Sequence, residues 1–301
     1  MTLKNIVLAG VSGNLGPAIL AAVAAAPFTV TVFTRPGSHQ TVPDGVKVVE
    51  VDYTSTANLT KNLTGIDAVV STIPPTAAAA QTALIHAAVA AGVSRFLPSE
   101  FGSDLDNPLN RAVPVFAPKI EAQELLSSLA AEGKITYTLV YTGPFLDWGL
   151  RVGMPADPVK KTAALQDGGE RLYTTTTLGT IGKAVVGVLR HPEETRNRVV
   201  RVGEAVTTIK EVLALSQEIV GAEGWTVTKP DTAVEAENAL VKIQQGVFTP
   251  ETIYPVIYRA IWGEKHGGHF TTTDNELLGI EQLDRAGLKR VIQDVVDGNS
   301  V

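Results

Sequence analysis

The chain has 301 residues, 45% of them hydrophobic and 19% charged, enough to bury a sizeable core as one large or two small domains. A net charge of −6 with no run of Lys or Arg argues against a nucleic-acid partner, and the absence of cysteine excludes disulfides, thiolate metal sites and cysteine nucleophiles. No stretch approaches the roughly 18–20 apolar residues of a membrane span. The opening MTLKNIVLAG reads as a first strand rather than a signal peptide, so a cytoplasmic location is expected and the sequons at Asn58 and Asn62 are expected to be unused.

In chain order, the first 150 residues alternate strands and helices. Apolar strands are predicted at 5–10, 29–34, 46–51, 67–72, 94–97 and 136–142, with helices at 15–26, 77–92 and 116–133. Near-continuous apolar strands alternating with helices predict an α/β fold, a doubly wound parallel sheet of the Rossmann kind with both faces covered. Beyond residue 150 the pattern loosens. MPADPV (154–159) reads as a loop, and the helix at 178–194 and strand at 197–202 are read as returning to the sheet. Helices are predicted at 209–221, 234–246 and 281–296, with aromatic segments around Tyr254, Tyr258 and Trp262. The expected organisation is a dinucleotide-binding domain at 1–150, joined by 178–202, and a smaller, interleaved substrate domain at 151–301.

AGVSGNLG places Gly10, Gly13 and Gly16, with Ser12, Asn14 and Leu15 between them, directly after the first strand and at the opening of the first helix. That is where a backbone must turn tightly and approach a diphosphate, favoured by the helix N-terminus. At the end of the second strand an NAD site usually offers an acid. Here Thr34, Arg35, Ser38 and His39 stand instead, with no acid until Asp44, which suits the 2′-phosphate of NADP. Asp52 and Tyr53 are candidates for the adenine, or for the cap of a following helix.

The catalytic possibilities narrow by elimination. None of the tyrosines at 53, 137, 141, 173, 254 and 258 has a lysine four residues on, so the Tyr-Lys pair of common short-chain reductases is absent. His266 and His269 are flanked by glycines with no carboxylate cluster, which reads as a loop rather than a metal site, and no GxSxG elbow occurs. Lys119 lies on the helix before the sixth strand, beside the expected crevice, where a desolvated lysine exchanges a proton at neutral pH. From the residues alone, a solvated lysine paired with Glu121 or Glu124 is the better reading.

GVSGNLG, QTALIHAAVAAGVSRFLPSEFG, PVFAPKIEAQELL and ITYTLVYTGPFLDWGL, in this order and spacing, resemble the isoflavone reductase-like branch of the NmrA-like, atypical short-chain dehydrogenase family. Weaker similarity runs through LQDGGERLYTTTTLGTIGKAVVGVLRHPEETRNRVVRV to FTTTDNELL, and TGPFLDWGL is closest in style to fungal members. The resemblance implies NADP(H) along the glycine loop and Lys119 as the catalytic acid/base. It places Ser71, Thr72, Ile73 and Pro74 by the ribose and diphosphate, with Gln81 near them. Ser99, Glu100 and Phe101 fall at the nicotinamide end, with Gly143, Pro144 and Phe145 on the loop after the sixth strand. The plant aromatic substrate-loop pattern is missing from 147–165, and Thr180 stands where the family often has aspartate, so isoflavones and phenylpropanoid ethers are not the expected substrates.

The leading expectation is an NADPH-dependent reductase of a small aromatic or polyketide-like secondary metabolite, with Phe101, Phe145, Trp148 and Met154, beside Asp147, toward the substrate. The rival is a non-catalytic NADP(H)-binding sensor that contacts a transcription factor. A small-molecule substrate, no nucleic acid, no membrane and no metal are expected, and a homodimer is left open.

Overall fold

The computed structural model describes residues 2–299. Its first half runs β1 (Asn5–Ala9), α1 (Gly16–Ala24), β2 (Thr29–Thr34), β3 (Lys47–Glu50), α2 (Thr56–Leu63), β4 (Ala68–Ser71), α3 (Ala78–Ala90), β5 (Arg95–Leu97), α4 (Pro108–Arg111), α5 (Ala117–Ala131) and β6 (Thr136–Tyr141). The second half runs α6 (Leu146–Arg151), β7 (Ala156–Asp157), β8 (Thr162–Ala164), β9 (Tyr173–Thr175), α7 (Leu178–Arg190), β10 (Arg198–Arg201), β11 (Ala205–Thr207), α8 (Ile209–Val220) and β12 (Thr226–Thr228). It closes with α9 (Thr232–Gln244), α10 (Pro250–Trp262), α11 (Asn275–Leu278) and α12 (Arg285–Val296).

Seven strands form one all-parallel sheet in the order β10-β6-β5-β4-β1-β2-β3. Alternation along β1 explains the two layers: Ile6 and Leu8 enter one core with α1 and α7, while Val7 and Ala9 enter the other with α2, α3 and α5. The helix–strand pair α7–β10 does return to the sheet, and Gly182 lets α7 lie against α1, where a Cβ would stand 2.7 Å from the Ala18 carbonyl. Arg95, 1% exposed, fastens this return: its guanidinium donates to Thr136 Oγ1 (2.8 Å), Thr138 Oγ1 (2.9 Å), Thr195 Oγ1 (3.1 Å) and the Pro192 carbonyl. Strand order reverses between β1 and β4, which opens a crevice at their carboxyl ends.

The later part adds a three-stranded sheet (β12-β8-β7), a two-stranded one (β11-β9) and a core of α6, α8, α10 and α12. Two sequence expectations are corrected here. Residues 154–159, read as loop, contribute β7, and the last helix begins at Arg285 rather than 281, with Asp284 as its N-cap. The helix α10 carries Pro255 in its interior, which hid it from the helical reading. No helix among the described residues is long and apolar enough to cross a membrane.

Two loops at the crevice are tied to distant chain. The carbonyl of Gly102, after β5, accepts from the N–H groups of Thr142 and Gly143, after β6 (both 3.1 Å). Further along the same loop, Asn110 is fully buried. Its amide nitrogen faces the carbonyls of Asp104 (2.9 Å), His266 (2.8 Å) and Ala260 (3.4 Å). The opposing Oδ1 must then be an acceptor, so His266 donates to it through Nδ1 at 2.7 Å. The glycine-flanked histidine therefore serves as a clasp between the crevice loop and the chain after α10.

Candidate active site

A cleft of about 770 Å³ lies over the carboxyl ends of β1, β2, β4 and β5. Gly10, Ser12, Gly13, Asn14 and Leu15 form its floor. The glycines differ in what demands them. Gly10 has φ +89°, and a Cβ there would stand 2.7 Å from the Thr72 backbone. Thr72 Oγ1 locks the same turn by donating to the Gly10 carbonyl at 2.8 Å. Gly16 lies outside the lining, where a Cβ would meet the Val11 backbone at 2.4 Å. Gly13 has no such neighbour: its Cβ would meet only the Gly10 oxygen, at 3.8 Å. What a side chain at Gly13 would occupy is the cleft itself. Beside it, α1 has Leu15 as its N-cap and no side-chain cap, so no side chain takes the N–H groups of its first turn, to which Pro17 contributes none, and they remain for an anion in the cleft.

At one end lie Thr34, Arg35 and Ser38, with His39, Gln40 and Tyr53. Arg35 has no carboxylate partner among the described residues, and Thr34 Oγ1 is buried without a hydrogen-bond partner. Asp52 stays outside the lining, exposed, and turns to Thr54, whose N–H and Oγ1 it accepts at 2.9 and 2.7 Å; those bonds lower its carboxyl below the usual range. The neighbouring Tyr53 faces the cleft instead.

The middle wall is Thr72, Ile73 and Pro74, continued by Pro75, Ala77 and Ala80. Ser71 and Gln81 sit behind this wall, both buried. Gln81 Oε1 accepts from Ser71 Oγ (2.9 Å) and from the Ser99 N–H (2.9 Å), so it latches the β4 and β5 loops together rather than lining the cleft.

At the other end are Ser99, Glu100, Phe101, Lys119 and Phe145. Phe101 has φ +38°, an uncommon conformation for a bulky residue, which turns the chain so that the Glu100 carbonyl accepts a hydrogen bond from Lys119 Nζ. Lys119 sits in the first turn of α5, after Pro118. Burial lowers its pKa from the ordinary lysine value, with the Glu100 charge opposing. The surface pairing of Lys119 with Glu121 or Glu124 does not occur; Glu124 pairs with Arg111 at 2.8 Å. Gly143 and Pro144 pack against β9: a Cβ on Gly143 would stand 2.1 Å from the Thr174 carbonyl, and the Pro144 carbonyl accepts from Thr175 Oγ1 at 2.7 Å. Trp148 meets Phe145 edge-on, centroids 6.2 Å apart, and Met154 packs in the later core, both outside the cleft lining. Asp147 is buried and accepts from the Leu178 N–H at 3.0 Å, at the start of α7.

The sequence reading missed Val11, Phe33, Gln40, Pro75, Ala77 and Ala80 among the lining residues. Gln40 follows directly on the Arg35 loop and was within reach of that argument; the others present small or apolar surface that carries no chemical signature.

The model of the NmrA-like family matches residues 2–258. Oxidoreductase poxI of Penicillium oxalicum is 36% identical over 243 residues, covering 78% of this chain and 76% of that protein. Oxidoreductase aprR of Aspergillus flavus is 31% identical over 288 residues, covering 93% and 95%. Among solved structures, the leucoanthocyanidin reductase–NADPH binary complex from Vitis vinifera superposes with a TM-score of 0.76 at 19% identity, over 98% of this chain and all of that one.

Proposed function

Because the chain belongs to the NmrA-like family, we propose that it is an NADPH-dependent reductase of a small aromatic or polyketide-like molecule, with Lys119 as proton donor. One observation carries the reading. A single cleft joins an arginine with no carboxylate partner among the described residues, a helix N-terminus without a side-chain cap and a desolvated lysine, in the order in which a phosphorylated ribose, a diphosphate and a reacting centre would need them. The open space at Gly13 and the unpartnered Thr34 hydroxyl fit the same ligand.

In this reading Arg35, with Thr34 and Ser38, takes the 2′-phosphate, and the turn at Gly10, Ser12, Gly13 and Asn14 faces the diphosphate. Bound NADPH supplies the hydride. Lys119, held by the Glu100 carbonyl, gives its proton to the substrate atom that gains negative charge; its lowered pKa brings this transfer toward neutral pH. Phe101 and Phe145, backed by Trp148, give the substrate an aromatic wall. Met154 packs in the later core and stands apart from that wall.

The test is NADPH oxidation against a panel of enones, aromatic ketones and quinone methides, with Lys119→Ala alongside. Turnover of at least one class, reduced about 10²–10⁴-fold in the variant, is expected. Tight NADPH binding with no turnover of any of them would leave a dinucleotide sensor in place of the enzyme. Full activity in Lys119→Ala would remove the lysine from the chemistry and keep the reductase.

A further inference from the structure

Next to Lys119 lies a carboxyl group that this proton transfer leaves unused. Glu100 is 3% exposed, and its Oε1 is buried with no hydrogen-bond partner among the described residues. Its charge acts on Lys119 from α5, Arg111 from α4 and Tyr141 from β6, with Gln123 of α5 hydrogen-bonding the carboxyl; Lys119 Nζ meets the main-chain carbonyl of Glu100 and makes no direct ion pair with its carboxylate. Gln123 stands one turn after Lys119; its Oε1 accepts from Arg111 Nη1 at 3.1 Å and its Nε2 donates to Tyr141 Oη at 3.2 Å. A polar file thus runs from the cleft through Glu100 and Gln123 to the exposed Arg111–Glu124 pair.

An under-bonded buried carboxyl group costs stability, and an amide or apolar side chain of the same length would fill the space at less cost. Its place on the residue whose carbonyl holds a desolvated lysine has an electrostatic meaning. Burial pushes the Glu100 carboxyl up to about 7, with Lys119 foremost among the groups pulling it back. Among the described residues, the charge that supports the Lys119 ammonium against its own burial is that of Glu100. The main-chain carbonyl of Glu100 separately fixes where Lys119 Nζ lies. Position comes from the backbone of residue 100 and charge from its side chain.

We propose that Glu100 is a positioning residue acting through Lys119: its carboxylate keeps the lysine protonated and so sets the upper pH limit for proton donation in the cleft. This rests on the reductase reading of Lys119. The sign follows from the charge: removing the carboxylate favours the neutral amine, so the donor is lost at lower pH.

Competitive acetylation of Lys119 between pH 6 and 10 in the NADPH-loaded protein, read by peptide mass spectrometry, gives its titration midpoint without any substrate. In Glu100→Gln the midpoint should fall by about one pH unit, and the alkaline limb of kcat/KM should move with it. Glu100→Met, which removes every polar atom of the carboxyl, should give the same fall and covers the case in which the amide variant misfolds. Glu100→Asp, which keeps the charge, should lie nearer the wild type. A midpoint unmoved in the folded Gln or Met variant overturns the proposal while the enzyme stands. A wild type that turns over nothing fails the reductase reading instead, whatever the midpoint does.

Discussion

Arg35 and Lys119 mark opposite ends of the cleft and carry different kinds of evidence. The arginine is unpaired by any carboxylate among the described residues, so its charge is available to a ligand. If it takes the 2′-phosphate, Arg35→Ala should weaken NADPH by about 10- to 100-fold, the worth of a charge-assisted hydrogen bond, and leave NADH nearly unchanged. Titration calorimetry with both cofactors decides this, and equal weakening would refute the assignment. Lys119 is the residue for which reading the residues alone pointed the wrong way. Nothing in FAPKIEAQ says that the side chain turns from Glu121 and Glu124 to a main-chain carbonyl nineteen positions back. That bond exists because β5 ends where it does and Phe101 adopts φ +38°.

At the scale of elements, the proposed reading has α1 and the turn before it meet the cofactor through backbone. Two glycines of the turn separate the demands of folding from those of the ligand. Gly16→Ala drives a methyl into the Val11 backbone at 2.4 Å and should cost about 1–3 kcal/mol in urea unfolding. Gly13→Ala meets nothing of the protein and should leave stability within about 0.5 kcal/mol while weakening NADPH at least about tenfold. Equal loss of stability in both would end the distinction. The spacing of these glycines was legible because it coincided with a strand-to-helix junction, where only backbone can serve. Their division of labour was not, since it depends on Val11 and the β4 loop folding over them. The parallel sheet was legible for the same reason of coincidence: apolar runs of strand length kept recurring between helices. The strands β7, β8 and β12 are two or three residues long, too short for any period, and α10 was masked by Pro255. Ser71 and Gln81 show the limit of motif transfer. They lie in the right loop and helix but work one layer behind, holding the wall in place.

For the molecule as a whole, the crevice loop after β5 is the junction. Asp104 and Asp106 pair with Arg201 of β10 at 3.0 and 2.7 Å, and Asn110 gathers the carbonyls of Asp104, Ala260 and His266. Asn110→Leu strands these buried acceptors and the His266 Nδ1–H, and a loss of about 3 kcal/mol is expected from urea unfolding. NADPH affinity should fall with it, because Ser99, Glu100 and Phe101 share this loop. Unchanged affinity in a destabilised protein would show that the clasp supports the later core alone.

That clasp also sets a schedule for synthesis. Asn110 and His266 are 156 residues apart, so the loop leaves the ribosome long before its partner exists. At about 5–20 residues per second, the interval is roughly 8–30 s. Through that time the β5 loop can hold Thr142, Gly143 and Arg201 but not its clasp, and Asn110 keeps its buried partners only once residue 266 has been made.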